Sequence, residues 1–436
     1  MNLLIQPSAL QTRIELEKDS LVRVIGPAKL SVLEGDIRIL GLDVSKGESI
    51  VVSKYRSYCL RAVADSILSI LIGEGGSIEK PKPGEEVIDV WESTAKTVAE
   101  KGGIAVIVGA VESGKTSFST LLSNIALDLG LKPCIVDADI GQGDLAPPTF
   151  IGMKCMDRKV LWLRGERCSS MRFVGYLSPS NPLAMARVIT SVMDLVSEAR
   201  DLNRDLVIVN TDGWLGDVAS IEYKYTLIKT LKPDTVIVLG QEFCSAFQSA
   251  FKNTSIEVYC IPRPKVVKER DREDRRDLRR YNYQSWFNNA KRICLDMNSI
   301  AVIGLCLLNG VPSNSDELLE LKKILGTEVL HIARYTDVDI VAVPDGILVP
   351  REILERISSG HRVFIVKPSS AKGLIAAVTD KNLRERGVAV VDDINFIEKK
   401  ICVLTDYMGE IGGIIVGKVK IGEQWDDNIR FSKCIA

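Results

Sequence analysis

The hydrophobic pattern changes twice along the chain. Up to about residue 84, short apolar runs alternate with turn residues, as in KLSVLEGDIRILG, whose two extended runs meet at residues 34–36. Short strands separated by such turns predict an N-terminal β-rich domain at 1–84. The segment EKPKPGEE, which begins at Glu79, contains two prolines and a glycine that interrupt any regular element, so it predicts a linker.

From about residue 85 to 296, apolar runs of strand length alternate with longer helical patterns. The strand-like runs are 104–108, 134–136, 160–163, 206–209 and 235–239. Because these runs are almost continuously apolar, they predict an α/β domain with a mainly parallel sheet that is covered by helices on both faces. After residue 297 mostly extended runs return, and they predict a β-rich or α+β domain at 297–436.

Length and composition limit the possible classes of protein. A chain of 436 residues is too long for one core of typical size, which favours two or three domains. The formal net charge is −1, so any nucleic acid must bind to a local basic patch. No run of about 18 apolar residues occurs. We therefore expect no contact with a membrane and a cytoplasmic location, or a nuclear one in a eukaryote.

The cysteines suggest no metal or disulfide scaffold. Ten cysteines are scattered along the chain without a C-x-x-C pair, and the only histidines are His331 and His361. This pattern indicates neither a zinc site nor a disulfide framework. We expect small buried thiols in a reducing compartment.

The clearest motif is GAVESGKT at 109–116, which matches G-x-x-x-x-G-K-[ST] between a strand pattern and a helix pattern. In such a loop backbone N–H groups approach phosphate oxygens, the lysine reaches the outer phosphates and the hydroxyl ligates Mg²⁺. We predict that ATP or GTP binds here with Mg²⁺. The predicted contacts are Gly109, Ala110, Val111, Glu112, Ser113, Gly114, Lys115, Thr116 and Ser117.

Two aspartates follow the next predicted strand. Asp137 and Asp139 lie where one helix and a short turn would return the chain to a neighbouring parallel strand. Carboxylates at that edge face the phosphates, although aspartate before glycine is also common in plain turns. We expect Asp139 to be the functional acid and leave both interpretations open for Asp137.

Three later segments suggest a second substrate. Trp214, in NTDGW, follows a predicted strand and suits stacking on a nucleobase, or else packing under a helix. Ser178 lies in a turn-rich loop, GYLSPSNP, where it could position a phosphate or hydroxyl. The segment 263–290 is either an exposed ion-paired helix or a mobile lid over phosphate. Its clustered arginines are Arg275, Arg276, Arg279 and Arg280.

In this order, GAVESGKT, DADIGQGD, GYLSPSN, NTDGW and the arginine-rich segment resemble the polynucleotide 5′-hydroxyl kinases. That family includes the kinase subunit of the mRNA 3′-end cleavage machinery, a pre-rRNA-processing kinase and stand-alone archaeal enzymes. The resemblance implies transfer of the γ-phosphoryl group of ATP or GTP to the 5′-hydroxyl of RNA or DNA, in RNA processing or repair. It also implies that protein partners are possible.

The resemblance assigns roles to individual residues. Those implied to hold the triphosphate and Mg²⁺ are Lys115, Thr116, Asp139 and Gln142. Asp139 would also activate or orient the 5′-hydroxyl. Those implied to hold the acceptor are Ser178, Thr211 and Trp214. Lid arginines would neutralise charge in the transition state, and the sequence does not choose among the four. The clasp departs from the family, since Ser178 stands where a pair of hydroxyl residues is more usual.

Three other functions remain open at this stage. The protein could be an ATP-binding scaffold subunit of an RNA-processing complex with little or no turnover. It could be a P-loop GTPase or ATPase switch, although no N-K-x-D motif follows the phosphate loop. It could also be a small-molecule kinase, which would need no platform for a nucleobase.

Overall fold

The computed structural model describes residues 10–350, 352–353 and 362–428. Between residues 10 and 79 the chain forms β1 (Leu10–Leu16), β2 (Leu21–Ile25), β3 (Ala28–Glu34), β4 (Asp36–Ile39), β5 (Leu42–Ser45), β6 (Ser49–Val52), β7 (Ser57–Ala62), β8 (Ser66–Ile72) and β9 (Ser77–Glu79). These strands make two antiparallel sheets, ordered β1-β8-β3-β6 and β5-β4-β7-β2-β9. Alternate residues of β7 are buried, so each strand turns one side to a shared apolar core.

The central part of the chain alternates strands and helices. Its helices are α1 (Ile88–Lys101), α2 (Lys115–Asp128), α3 (Pro182–Asp201), α4 (Val218–Leu231), α5 (Cys244–Phe251) and α6 (Arg272–Phe287). Its strands are β10 (Gly103–Gly109), β11 (Pro133–Ala138), β12 (Phe150–Cys155), β13 (Ser170–Phe173), β14 (Leu206–Thr211), β15 (Thr235–Leu239) and β16 (Glu257–Ile261). They form one sheet in the order β13-β12-β11-β14-β10-β15-β16.

This sheet is mainly parallel, as predicted. Strands β10, β11, β14, β15 and β16 run parallel, whereas β12 and β13 are antiparallel. Helices α3, α4 and α5 cover one face, and α1 and α2 cover the other. In β10 the residues Ile104 and Val106 face the first layer, while Ala105 and Ile107 face the second. Burial on both faces explains why these strands are almost continuously apolar.

The prediction of a strand at 160–163 is wrong. Residues Leu163–Gly165 form a single 3₁₀ turn, and the strand that follows β11 in the chain is β12. The side chain of Asn124 in α2 explains the difference. Its amide donates to the carbonyl of Val160 at 2.8 Å and accepts from the Val160 N–H at 3.0 Å. The backbone of this segment is therefore bound to a helix rather than to a neighbouring strand.

The last part of the chain is β-rich with two short helices. Its helices are α7 (Cys306–Asn309) and α8 (Ser315–Leu325). Its strands are β17 (Lys291–Asp296), β18 (Ala301–Ile303), β19 (Val311–Pro312), β20 (His331–Arg334), β21 (Val338–Ala342), β22 (Arg362–Val366), β23 (Leu374–Thr379), β24 (Glu385–Asn395), β25 (Lys400–Thr405), β26 (Gly413–Ile421) and β27 (Asp427–Asn428). The larger sheet is ordered β17-β25-β24-β23-β26-β18, with β27 on β26, and the smaller is β19-β20-β21-β22.

The larger sheet takes in β17, which lies before residue 297, where the third domain was predicted to begin. The two boundaries between the three predicted domains otherwise stay predictions. No helix in the described part of the chain is long and apolar enough to span a membrane. His361 lies outside the described residues.

The expectation that the cysteines form no disulfide framework is wrong. The structure contains the disulfides Cys134–Cys155, Cys244–Cys260 and Cys294–Cys402. Two of these pairs consist of residues directly opposite each other on antiparallel strands, in β11 with β12 and in β17 with β25. Their proximity depends on strand register, which the spacing of cysteines along the chain does not reveal.

Candidate active site

A cavity of about 670 Å³ lies at the carboxyl edge of the central sheet. Twelve of the predicted site residues line it: Val111, Glu112, Gly114, Lys115, Thr116, Ser117, Asp139, Gln142, Ser178, Trp214, Arg275 and Arg279. Six predicted residues do not line it: Gly109, Ala110, Ser113, Thr211, Arg276 and Arg280. The fold therefore brings together motifs that are separated by more than a hundred residues.

The phosphate loop joins β10 to α2. Gly114 precedes the helix with a φ of 98°, and a Cβ at this position would lie 2.6 Å from the ring of Trp91. Both the backbone angle and the close approach of Trp91 therefore require glycine. The first turn of α2 has free backbone N–H groups, which makes its start a site for anions.

Lys115 is buried at the base of the cavity. Its ammonium donates to the carbonyls of Gly109 and Ala110, both at 2.8 Å. Burial lowers the pKa of Lys115 to about 8, and the negative charge of Asp139 partly opposes this shift. The lysine thus lies folded against its own loop, where triphosphate oxygens would compete with the carbonyls.

Asp137 is held by several hydrogen bonds. It faces Asn210 across the parallel pair β11 and β14, and the Asn210 amide donates to its carboxylate at 3.0 Å. The backbone N–H of Asp144 donates to the second oxygen at 2.6 Å. Burial, followed by the charges of Asp144 and Asp139, raises the pKa of Asp137 to about 6. These contacts give Asp137 a structural role in shaping the turn beneath the cavity.

Asp139, by contrast, lines the cavity. Its carboxylate accepts the backbone N–H groups of Gly141 at 3.0 Å and Gln142 at 2.9 Å, which fixes the turn. Burial raises the pKa of Asp139, and the charge of Asp212 raises it further. A carboxylate with a raised pKa beside a phosphate loop is suited to accept a proton.

The oxygen atoms near the phosphate loop fit a magnesium ion. The candidates are the hydroxyl of Thr116, the carboxylate of Asp139 and the amide oxygen of Gln142. The Gln142 oxygen is buried and has no hydrogen-bond partner among the residues that the structure describes. Mg²⁺ prefers oxygen ligands and commonly combines one or two carboxylates with substrate phosphates. The donor set therefore suits this ion.

Asp212 is a residue of the cavity wall to which the sequence analysis gave no role. Its carboxylate accepts from Lys224 at 2.7 Å, from the Tyr223 hydroxyl at 3.0 Å and from the Trp214 backbone N–H at 2.9 Å. Lys224 is fully buried, and desolvation lowers its pKa while Asp212 opposes the shift. One feature of the sequence could have pointed to Asp212. It is the aspartate of NTDGW, and it follows a predicted strand, as Asp139 does.

Trp214 is placed both to face a ligand and to pack against a helix, the two alternatives that the sequence left open. Its ring lines the cavity and also stacks near Tyr223 of α4, with centroids 6.1 Å apart and planes inclined by 26°. The indole N–H donates to Asp217 at 2.8 Å, which fixes the ring orientation. Thr211 lies elsewhere: its buried hydroxyl donates to the Ile107 carbonyl at 2.8 Å and is not presented to the cavity.

Helix α6 borders the cavity and presents its four clustered arginines to different sides. Arg275 and Arg279 lie one turn apart and line the cavity. Arg276 is exposed, and Arg280 lines a second cavity of about 570 Å³ on another side of the helix. The guanidinium of Arg279 is held by Asp427, with nitrogen–oxygen distances of 2.5 and 3.3 Å.

The first β domain also reaches the cavity, although none of its residues was predicted to belong to the site. Leu40 and residues 55–59 belong to the wall. Arg56 forms an ion pair with the buried Asp144, which also binds Arg164 at 2.9 Å. Because Asp144 follows Gln142 closely in the chain, this network ties the first domain to the loop that carries Asp139.

Comparisons with known proteins agree with this geometry. Residues 109–289 match the family described as mRNA cleavage and polyadenylation factor CLP1 P-loop. The central domain matches the CLP1 P-loop family. The resemblance to polynucleotide 5′-hydroxyl kinases predicted from the motifs is therefore confirmed, and so is the α/β fold class with flanking β-rich parts.

Curated relatives cover most of the chain. The polyribonucleotide 5′-hydroxyl-kinase of Pyrococcus furiosus is 27% identical over 325 residues, 74% of this chain and 88% of that protein. The enzyme of the same name from Methanocaldococcus jannaschii is 25% identical over 327 residues, 74% of this chain and 88% of its own. The CLP1 homolog of Culex quinquefasciatus is 28% identical over 200 residues, 44% of this chain and 47% of that protein.

A solved structure shows the same fold. Clp1p, in a complex with a Pcf11p fragment, matches with a TM-score of 0.64 and 15% identity, over 95% of this chain and 99% of that one. At this identity the likeness concerns the fold alone.

Proposed function

We propose that the protein is a polynucleotide 5′-hydroxyl kinase, which transfers the γ-phosphoryl group of ATP or GTP to the 5′-hydroxyl of RNA. One observation carries the proposal. A phosphate loop, the carboxylate of Asp139, the ring of Trp214 and the guanidinium of Arg275 line the same cavity. The names of the archaeal relatives support this activity.

The donor would occupy the phosphate loop. Backbone N–H groups at the start of α2 and the ammonium of Lys115 would bind its phosphate oxygens. Thr116, Asp139 and Gln142 would hold Mg²⁺, which would neutralise charge on the phosphates when bound. The oxygen of Gln142, which is buried and has no hydrogen-bond partner among the described residues, supports the metal assignment.

The acceptor would lie beside Asp139. Its 5′-oxygen forms a new bond to the γ-phosphorus, and the bond from that phosphorus to the bridging oxygen of the leaving diphosphate breaks. The hydroxyl proton passes to the Asp139 carboxylate. Burial raises the pKa of this group in the metal-free protein, whereas bound Mg²⁺ would lower it, so the proton would pass to the carboxylate oxygen that does not hold the metal.

Two further elements would complete the site. Trp214 offers an aromatic face for the terminal base, and Ser178 a hydroxyl for its sugar or phosphate. Arg275 enters the cavity from α6 and would compensate the charge that spreads over the transferred group. A well-placed arginine is worth about 10³ to 10⁵ in rate in phosphoryl-transfer enzymes.

The test compares acceptors and variants in one assay. Wild-type protein is incubated with Mg²⁺, γ-labelled ATP or GTP, and 5′-hydroxyl RNA, 5′-hydroxyl DNA or free nucleosides. We expect labelled RNA with wild type and with Lys252→Ala, an exposed lysine, but none with Lys115→Ala. Label found only as free phosphate would refute the proposal in favour of an NTPase. Labelled nucleosides without labelled RNA would indicate a small-molecule kinase.

The alternative, an ATP-binding scaffold, predicts a different result in the same assay. Nucleotide would stay bound through purification, and no acceptor would be labelled. Clp1p, whose fold this chain shares, was solved in complex with a fragment of Pcf11p. A protein partner and a cytoplasmic location stay predictions for this chain.

A further inference from the structure

A carboxylate of the phosphate loop binds the lid. One oxygen of Glu112 accepts the backbone N–H of Arg270 at 3.0 Å and lies 3.1 Å from a guanidinium nitrogen of Arg275. The guanidinium of Arg270 approaches the same oxygen at 3.6 Å. The Glu112 side chain is only 16% exposed. One backbone N–H and two guanidinium groups from the start of the lid therefore converge on one largely buried carboxylate.

The backbone at Glu112 is unusual. Its φ is 60°, in the left-handed region that residues other than glycine, asparagine and aspartate rarely adopt. A glycine would adopt this angle without strain, but it would lack the carboxylate that contacts Arg270 and Arg275. An uncommon conformation that is maintained at a ligand site indicates a function for the side chain.

The charges around Arg270 show why an anion is needed there. Burial lowers the pKa of Arg270, and the nearby cations Arg56 and Arg164 lower it further. Asp144 and Glu112 are the carboxylates that oppose this effect. Of the two, Glu112 contacts the lid directly, so its removal would leave only Asp144 to offset the repulsion between Arg270 and the cations of the cavity wall.

A carboxylate inside a phosphate loop should, by itself, repel a triphosphate. An arginine between the two anions removes this conflict. A guanidinium has five N–H donors, so Arg275 can keep one on Glu112 and direct others to phosphate oxygens. Arg279 is less available, because Asp427 binds its guanidinium through two nitrogens.

We infer that Glu112 is a positioning residue, which holds Arg275 over the phosphate loop before the triphosphate binds. This inference rests on the proposed kinase function. The advantage is preorganisation: the charge that the transition state needs is in place, and no lid movement has to deliver it.

Kinetics of variants test the inference. Glu112→Ala should lower kcat between about 10- and 100-fold, the cost of a misplaced group, without raising the KM for ATP, because a repelling charge is also lost. Glu112→Gln keeps an acceptor for the Arg270 N–H but not the charge, so its kcat should be intermediate. Glu273→Ala removes an exposed acid from α6, the helix that carries Arg275. This control variant should behave as wild type.

A double-mutant cycle decides whether the effect acts through Arg275. In an Arg275→Ala background, Glu112→Ala should change kcat less than about twofold, since the positioned group is already absent. An equal loss of kcat in both backgrounds would overturn the inference. So would a rise in the KM for ATP that accompanies the fall in kcat, which indicates general damage to the loop.

Hydrogen exchange of the nucleotide-free protein separates this inference from the kinase function. Glu112→Ala should accelerate amide exchange at Arg270 and in the first turn of α6, whereas Glu273→Ala should not. Unchanged exchange overturns the inference even if the wild type is an active kinase. A wild type that labels no acceptor refutes the proposed function, and the exchange result then still tests the contact between Glu112 and the lid.

Discussion

Nucleotide binding should take up a proton at Lys115. Burial lowers the pKa of this lysine to about 8 in the nucleotide-free protein. A bound triphosphate places anionic oxygens beside the ammonium and raises the pKa again. Because the bound state holds the proton more tightly, the affinity for nucleotide should be full below about pH 8 and fall as the pH rises above it.

The magnitude follows from the shift. The protonated fraction of a group with a pKa of about 8 is about three quarters at pH 7.5 and about one eleventh at pH 9.0. The affinity for nucleotide should therefore fall about eightfold over this interval, or about 1.3 kcal/mol of binding free energy. The number of protons taken up on nucleotide binding should rise over the same interval and approach one at pH 9.0.

Isothermal titration calorimetry with a non-hydrolysable ATP analogue and Mg²⁺ measures both quantities. Titrations in two buffers of different ionisation enthalpy give the number of protons taken up. Lys115→Arg, whose guanidinium stays charged, should show a flatter pH dependence if it binds nucleotide. Circular dichroism checks that the protein remains folded at the higher pH. Wild-type affinity that is the same at both pH values would refute the reasoning.

Four further predictions concern separate parts of the molecule. Asp139→Asn should lower kcat by about 10² to 10⁴ and remove the fall in activity at acidic pH, measured from pH–rate profiles, while nucleotide still binds in calorimetry. Trp214→Ala should weaken oligonucleotide binding by about 1–3 kcal/mol and leave the KM for ATP unchanged, with the exposed Tyr281→Ala as control; equal effects on both substrates would argue against stacking. Asp427→Ala should release Arg279 and leave kcat close to the wild-type value in the kinase assay, because Arg275 is the arginine held over the phosphate loop; a large fall in kcat would show that Arg279 also acts in the reaction. Phe118→Ala should lower the free energy of unfolding by about 3–5 kcal/mol in urea denaturation, since this ring is fully buried against Trp91.

The local motifs could be predicted from the sequence because their chemistry is local. The phosphate loop needs Gly114 and Lys115 at a fixed spacing between a strand and a helix, and that spacing is visible in one sequence. Asp139 could be placed because a parallel strand must end at the same edge of the sheet. For the same reason the mainly parallel sheet followed from continuous apolar runs.

Other features depend on how elements meet in space. The choice among the lid arginines depends on the rotation of α6, which is set by burial of Leu278 and Tyr283. The pair Asp212 and Lys224 depends on the contact between a strand end and α4, residues that are twelve positions apart. The disulfides depend on register, and the missing strand at 160–163 depends on one side chain, Asn124. The pattern of hydrophobic and polar residues along the chain predicts none of these four features.

The position of the transferred label tests the central claim most directly. A 5′-hydroxyl RNA is incubated with the protein, Mg²⁺ and γ-labelled ATP or GTP, and the purified RNA is digested to nucleoside 5′-monophosphates. We predict that all label is recovered in the 5′-terminal nucleotide, and that the same RNA with a 5′-phosphate incorporates none. Label elsewhere in the RNA, or release of labelled phosphate without labelled RNA, would contradict the account.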